Sequence, residues 1–284
     1  MNNMSLTMTS GPPNRCWRRI SHCMMPAAIL SLAVGIVMPA AIAQTDCNAG
    51  NGDLDSTPPK NITAAEIIQK FGAGENKVRD ARSHYTYTQD MLIQTLNDKS
   101  AVDGQMHEVT TVSFDDKGKR QEKVTFAEQS TLRGIQLTAD DIDDVRRFMP
   151  WILTSDQVPE YNLTYSGQMH VDDLDTYVFH VEPKKQEKGK RYFSGRIWVD
   201  NRDFQIVKLC GKSVPDQVQP KKHRPLDVRP TFVGYRQLVD GFWFPAYAKV
   251  DDTLTFRAES IHLREILKFT GYTRSGQGSA GAKP

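Results

Sequence analysis

The chain lacks the residue patterns on which the common catalytic chemistries are built. It has four cysteines in 284 residues. None forms a Cys-x-x-Cys pair, and no His-Glu-x-x-His run exists, so a zinc site is not encoded. There is no Gly-x-Ser-x-Gly elbow for a hydrolytic serine. Cys210-Gly211-Lys212-Ser213 imitates the end of a phosphate loop, but Ile206 stands where that loop needs its first glycine. Charge of one sign is missing too: 36 Lys and Arg face 34 Asp and Glu, which excludes the basic field that nucleic-acid binding requires. The seven histidines are scattered; His170, His180, His223 and His262 have no partner at fixed spacing, so none reads as a general base. The acidic run Asp140-Asp141-Ile142-Asp143-Asp144 lacks the residue order and trailing glutamate of a calcium loop. No catalytic residue, cofactor or metal is expected.

Long apolar runs are confined to the start of the chain. Arg15, Arg18 and Arg19 precede an Ala-rich stretch from Met24 to Ile42, broken by Pro26 and Pro39 and ending in Ala41-Ile42-Ala43. Small residues at the two positions a signal peptidase reads favour cleavage, with Gln44 as the first mature residue. The competing reading is a retained anchor, since the stretch approaches spanning length. Residues 1–43 are therefore expected to be a signal peptide and the rest to be exported. Cys16 and Cys23 leave with the signal. Cys47 and Cys210 remain, either as one disulfide or as two separate thiols. Residues 44–60 are polar, rich in Asn, Gly, Asp and Pro, and are expected to be a mobile lead.

What the sequence has in abundance is strand. Arg191 to Gly211 reads as two arms, Tyr192–Val199 and Phe204–Leu209, around the turn Asp200-Asn201-Arg202-Asp203. Phe193, Ile197 and Val199 form an apolar register. Trp198 lies on the opposite register beside Arg196 and is open to either face. Upstream, a helix starts at Asn61 or Thr63 with Ile67, Ile68 and Phe71 as its stripe, interrupted by Gly72 and Gly74, with a polar continuation over 75–83. Period-two segments follow at 85–93, 105–114 and 120–127, a three-strand meander with a polar connection over 96–104 and the turn Asp115-Asp116-Lys117-Gly118. Thr138 caps a short helix over 139–148, acidic first and basic last as the helix dipole favours. Pro150-Trp151-Ile152-Leu153 is an apolar knot after it.

Further strands are expected at 161–170, 176–182, 232–238, 242–250, 253–260 and 261–269, with Asp240-Gly241 as a hairpin turn. Residues 212–230 read as irregular, with the basic cluster Lys221-Lys222-His223-Arg224 in a solvated loop. The last residues, 274–284, read as a disordered tail behind a domain spanning 61–273. The fold class is α+β: about ten antiparallel strands in a strongly curved sheet, an unclosed β-barrel with helices covering the concave face. So many strands curl rather than lie flat. Two helices leave an apolar cavity under the 61–83 and 138–153 segments. Its expected lining is Leu163, Phe179, Phe193, Ile197, Val199, Phe204, Ile206, Phe244 and Trp151.

This order of elements, together with Arg196-Ile197-Trp198-Val199-Asp200 and Asp240-Gly241-Phe242-Trp243-Phe244-Pro245, resembles the LolA/LolB-like lipoprotein-sorting superfamily over about residues 63–273. The resemblance implies an unclosed barrel with a helical lid and a periplasmic role as a monomeric carrier or binder of lipid or lipoprotein acyl chains, with peripheral membrane contact. The other role it implies is an envelope protein-interaction or sensor module of the same fold. It also implies a strand arginine that locks the lid, for which Arg120, Arg133 and Arg196 are all candidates.

Overall fold

The computed structural model describes residues 44–148, 151–216, 228–256 and 259–275. The expected signal peptide, the 221–224 basic cluster, Pro150 and the tail beyond Ser275 lie outside the described residues. Thr63 opens helix α1, Ala64–Arg82, with a capping box: its hydroxyl accepts from the Glu66 amide, and the Glu66 carboxylate accepts from the Thr63 amide. The helix runs without a break, where an interruption at Gly72 and Gly74 was expected. Each interior glycine costs about 1 kcal/mol relative to alanine. Here both are wanted for close approach. A Cβ on Gly72 would come within 3.3 Å of Ser155 Cα, and one on Gly74 within 3.0 Å of the Phe204 carbonyl oxygen.

Ten strands follow: β1 Tyr85–Leu96, β2 Val102–Phe114, β3 Arg120–Ala127, β4 Tyr161–Val171, β5 Leu174–Pro183, β6 Tyr192–Asp200, β7 Ile206–Val214, β8 Phe232–Val239, β9 Phe242–Phe256 and β10 Glu259–Arg274. All neighbours are antiparallel, in the order β3-β2-β1-β10-β9-β8-β7-β6-β5-β4. The first and last strands of the chain meet in the middle, Tyr85 opposite Arg274, and β3 and β4 are the edges. The sheet is a curved, open one and not a closed barrel. Between its edge strands in sequence lie α2, Ala139–Asp143, a π-helical turn over Asp144–Phe148 and a 3₁₀ turn over Val158–Glu160. Thr138 caps α2 with a second box to Asp141.

Three strand expectations change. The separate strand over 253–260 does not exist: β9 continues through Thr253, with Asp251 and Asp252 satisfied by hydrogen bonds along its path. Asp251 accepts from His262 at 2.7 Å, and Asp252 accepts from the Thr231 amide at 3.0 Å. Phe204 stands outside β7 in a left-handed conformation, φ 56°. Lys212–Val214, read as irregular, complete β7, so the imitation phosphate loop is strand. The turn at Asp240-Gly241 has φ of 49° and 84°, the positive pair that a two-residue hairpin asks of these residues.

The lead is also corrected. Residues 45–57 are held against the outer face of the sheet. Cys47 is disulfide-bonded to Cys210, Thr45 Oγ1 donates to the Thr231 carbonyl at 2.7 Å, and Asp55 exchanges backbone bonds with Gln168. The cover has a purpose in packing: Trp198, Met169, Val178, Val207 and Cys210 form an apolar cluster on that face. Lys208 is buried among them. Its Nζ lies 4.9 Å from the Trp198 ring and 5.2 Å from Tyr235, and it donates to Ala49 O and Asn51 Oδ1. Burial pulls its pKa down to about 8, with Asp172 and Asp46 opposing the shift.

Replacing Cys47 and Cys210 by serine is expected to lower stability by about 2–4 kcal/mol and to open residues 48–57 to limited proteolysis. Denaturant unfolding and mass mapping of the first cleavage check both.

Candidate functional site

The inner face, under α1 and the segment after α2, carries the main apolar core. The expected lining residues separate into those it brings together and those it does not. Phe179, Phe193, Ile197, Val199, Ile206 and Trp151 are buried in one cluster with Ile67 and Phe71 of α1, and Leu163 and Phe204 pack on its margin. Phe244 is buried in a neighbouring cluster with Tyr85 and Val78. Trp198 faces the other way, into the outer cluster. Trp151 stacks on Phe193, centroids 4.5 Å apart and 20° from parallel, and meets Tyr161 edge-on. Phe71 meets Phe179 edge-on at 5.8 Å. These side chains bury their surfaces against one another, so α1 and Trp151 occupy the inner face.

One ion pair ties these pieces together. Glu75 of α1 and Arg236 of β8 form a two-pronged pair, Nη1 to Oε1 at 2.7 Å and Nη2 to Oε2 at 2.9 Å, with side chains 0% and 2% exposed. Arg236 Nη2 also donates to the Trp151 carbonyl at 2.9 Å. The carboxylate accepts two longer backbone bonds, from Leu153 and Ile206, both at 3.4 Å. Neither residue was singled out from sequence. The one legible signal was a lone arginine in an otherwise apolar strand, Phe232-Val233-Gly234-Tyr235-Arg236.

The short helical insertion is seated differently. α2 has no buried residue. Arg229, just before β8, pairs with Asp141 and, at 2.9 Å, with Asp144. Arg191 lies 3.5 Å from Asp144, Arg146 pairs with Glu108 of β2, and Gln89 Nε2 donates to the Arg146 carbonyl at 3.1 Å. Of the arginines proposed as a lock, Arg120 does reach this region: it donates to Gln89 Oε1 at 2.6 Å and to the Tyr87 hydroxyl at 2.9 Å. Arg196 and Arg133 do not. Arg196 lies on the outer face, over the Trp198 ring and bonded to Asn48, and Arg133 donates to the Asp103 carbonyl.

Glu265 of β10 is fully buried below this cluster. Burial pushes its pKa up to about 8; Arg229 opposes that, and Asp144 and Asp141 add to it. Its Oε2 has no hydrogen-bond partner among the described residues. Asp144 is likewise raised by burial, against the pull of Arg229 and Arg191. Burial raises Asp141 too, but the bonds from Thr138 and Arg229 outweigh it and leave the carboxyl below its usual range.

No protein-family model matches the chain, and no curated protein does. Among solved structures it is similar to a LolA superfamily protein from Nitrosomonas europaea, 13% identical over 75% of this chain and 94% of that one, with a TM-score of 0.36. A putative outer membrane lipoprotein-sorting protein domain from Vibrio parahaemolyticus is 11% identical over 75% and 95%, at 0.35. The MucA/MucB complex of Pseudomonas aeruginosa is 12% identical over 72% and 94%, at 0.22. At these scores the likeness carries no weight for function.

Breaking the buried pair on one side, by Glu75→Gln or Arg236→Met, is expected to cost about 3–5 kcal/mol. The double variant Glu75→Leu/Arg236→Met should lose far less than the sum, as a double-mutant cycle in urea will report. A second expectation concerns pH. A carboxyl whose folded pKa lies above its ordinary value contributes stability that is full below about pH 4.5 and is lost as pH rises through 8. Wild type should therefore lose up to about 4 kcal/mol across that window relative to Glu265→Gln. Parallel stability profiles for the two proteins at pH 5 and 8.5 would refute it.

Proposed function

We propose that the inner face of the sheet binds the acyl chains of a lipid or lipoprotein and that the insertion over 139–153 is its cover, in a protein exported to the periplasm. The observation that supports this most directly is the seating of the cover. Trp151 lies on Phe193 over an apolar face, with Val145 and Leu153 buried in the same cluster, while α2 has no buried residue and is held by charged pairs to Arg229 and Arg191. An apolar chain that displaced Trp151 would gain about 0.8 kcal/mol per buried methylene. The Cys47–Cys210 disulfide suits an oxidising compartment. Among the described residues no helix is long and apolar enough to cross a membrane.

A second reading has its own observation. The inner face is filled by the protein's own side chains, as suits an envelope protein-interaction or sensor module that carries no ligand. The two readings differ in what Trp151 does. Under the first, Trp151→Ala uncovers the face, and the neutral fluorophore N-phenyl-1-naphthylamine should bind several-fold more tightly than to wild type; Leu163→Arg should weaken it. Native mass spectrometry of the protein purified from cells should show acyl-bearing adducts. An empty protein whose Trp151→Ala variant ignores the fluorophore would remove the carrier reading and leave the interaction module.

A further inference from the structure

A cleft of about 460 Å³ lies between α1 and the turn before β7, at the margin of the inner-face cluster. Its wall is one side of the helix, Lys70, Ala73, Gly74 and Lys77; its other wall is the turn Asp203-Phe204-Gln205 with the hairpin tip Gly241-Phe242. The volume lies within the range of small-molecule sites and is far too small for a docked protein.

The chemistry of its walls is uneven. Lys70 and Lys77 are two helical turns apart, about 10.5 Å along the axis. Ala73 and Gly74 between them leave the helix surface bare, so both long side chains can converge on one group above it. Lys70 Nζ lies 4.4 Å from the centre of the Phe204 ring, and neither ammonium has an ion-pair partner within 4 Å among the described residues. Asp203 shares the wall but pairs with neither ammonium within 4 Å: its Oδ2 accepts from Trp243 Nε1 at 2.8 Å and its Oδ1 from the Gln205 amide at 3.1 Å, so the two lysines outnumber it by one charge. The apolar surface comes from Phe204 and Phe242, both partly exposed.

Phe204 gives a second, independent indication. It is a bulky residue at φ 56°, a conformation that costs on the order of 1–3 kcal/mol and persists where the surroundings enforce it. The Phe204 amide donates to the Asp200 carbonyl, the ring stacks at 6.3 Å on Tyr177, and the carbonyl oxygen abuts Gly74. The strain sets the ring at the junction of the cleft and the core, where a glycine or asparagine would be the unstrained choice.

We propose that this cleft binds an amphipathic anion, an acidic headgroup held between Lys70 and Lys77 with an apolar chain laid against Phe204 and Phe242. A carboxylate and a phosphate monoester share this chemistry. Isothermal titration of the full mature chain below micelle concentration tests it with four probes: dodecanoate, dodecyl phosphate, dodecyltrimethylammonium and inorganic phosphate. One or both anionic amphiphiles should bind at least tenfold more tightly than the cationic one, and the tighter of the two identifies the headgroup. Lys70→Glu/Lys77→Glu, on exposed positions that leave the core intact, should reduce that affinity at least tenfold while leaving binding of the neutral N-phenyl-1-naphthylamine unchanged. The indole resonance of Trp243, one bond from Asp203, should shift on titration in wild type alone. Equal binding by the double variant, or no preference for the anionic over the cationic chain, overturns the proposal. Inorganic phosphate binding as tightly as dodecyl phosphate would also overturn it, since Phe204 and Phe242 would then contribute nothing. A failure of the inner face to take up the neutral fluorophore would leave these outcomes untouched.

Discussion

The pair between Glu75 and Arg236 is the contact on which the arrangement of the inner face depends. Each charge is removed from water, a cost of several kcal/mol per ion that the mutual attraction only just offsets. Such a pair is weak evidence of stability and better evidence of register. An apolar stripe on α1 could slide or rotate by a residue against the sheet at modest cost. A carboxylate that must meet a guanidinium at two points, and accept from Leu153 and Ile206 as well, cannot. The pair thus sets α1 on β8 and, through the Trp151 carbonyl, sets where the segment after α2 crosses them.

The sheet has two apolar faces and covers them by opposite means. The outer face is closed by a short lead with little apolar surface of its own, and a covalent bond holds it there. The inner face is closed by a whole helix and by Val145, Trp151 and Leu153 of the insertion, whose helix α2 is held by charge. A disulfide persists in an oxidising compartment whatever the ligand. Charged pairs on partly exposed side chains respond to salt, and each cover lies over one buried titratable group, Lys208 under the lead and Glu265 under the insertion, both brought to about 8 by burial.

Most of the strand order was legible because alternation survives in a single sequence: the 120–127 strand and the Asp240-Gly241 turn stand where the pattern put them. The register of the central hairpin was legible for the same reason, with Phe193, Ile197 and Val199 sharing the helix-side face and Trp198 the other. What was hidden is non-local. Gly72 and Gly74 read as breaks because their reason, the approach of Ser155 and Phe204, lies some 80 to 130 positions away. The break expected between residues 250 and 253 is absent because Asp251 and Asp252 meet His262 and Thr231, 11 and 21 positions away. The lead reads as mobile because its composition is polar, and whether Cys47 reaches Cys210, 163 positions away, depends on the fold. Arg236 was passed over for Arg120, Arg133 and Arg196 because a buried charge is recognised by its partner, and Glu75 looked like one polar residue in a polar half-helix.

If the inner face binds an acyl chain as proposed, the energy balance there bounds the length of that chain. Val145, Trp151 and Leu153 are the buried apolar residues of the cover, each worth about 1.5–3 kcal/mol of burial, so lifting them costs roughly 5–9 kcal/mol before any charged pair is counted. At about 0.8 kcal/mol per methylene, an acyl chain on the proposed reading would have to bury roughly six to eleven methylenes to match that. On the proposed reading, short chains leave Trp151 on Phe193 and long ones displace it, so that the cover selects chain length. Arg236 keeps Glu75 when the Trp151 carbonyl leaves. On that reading the helix stays in register while the cover moves, which separates the part of the structure that must hold from the part that must yield.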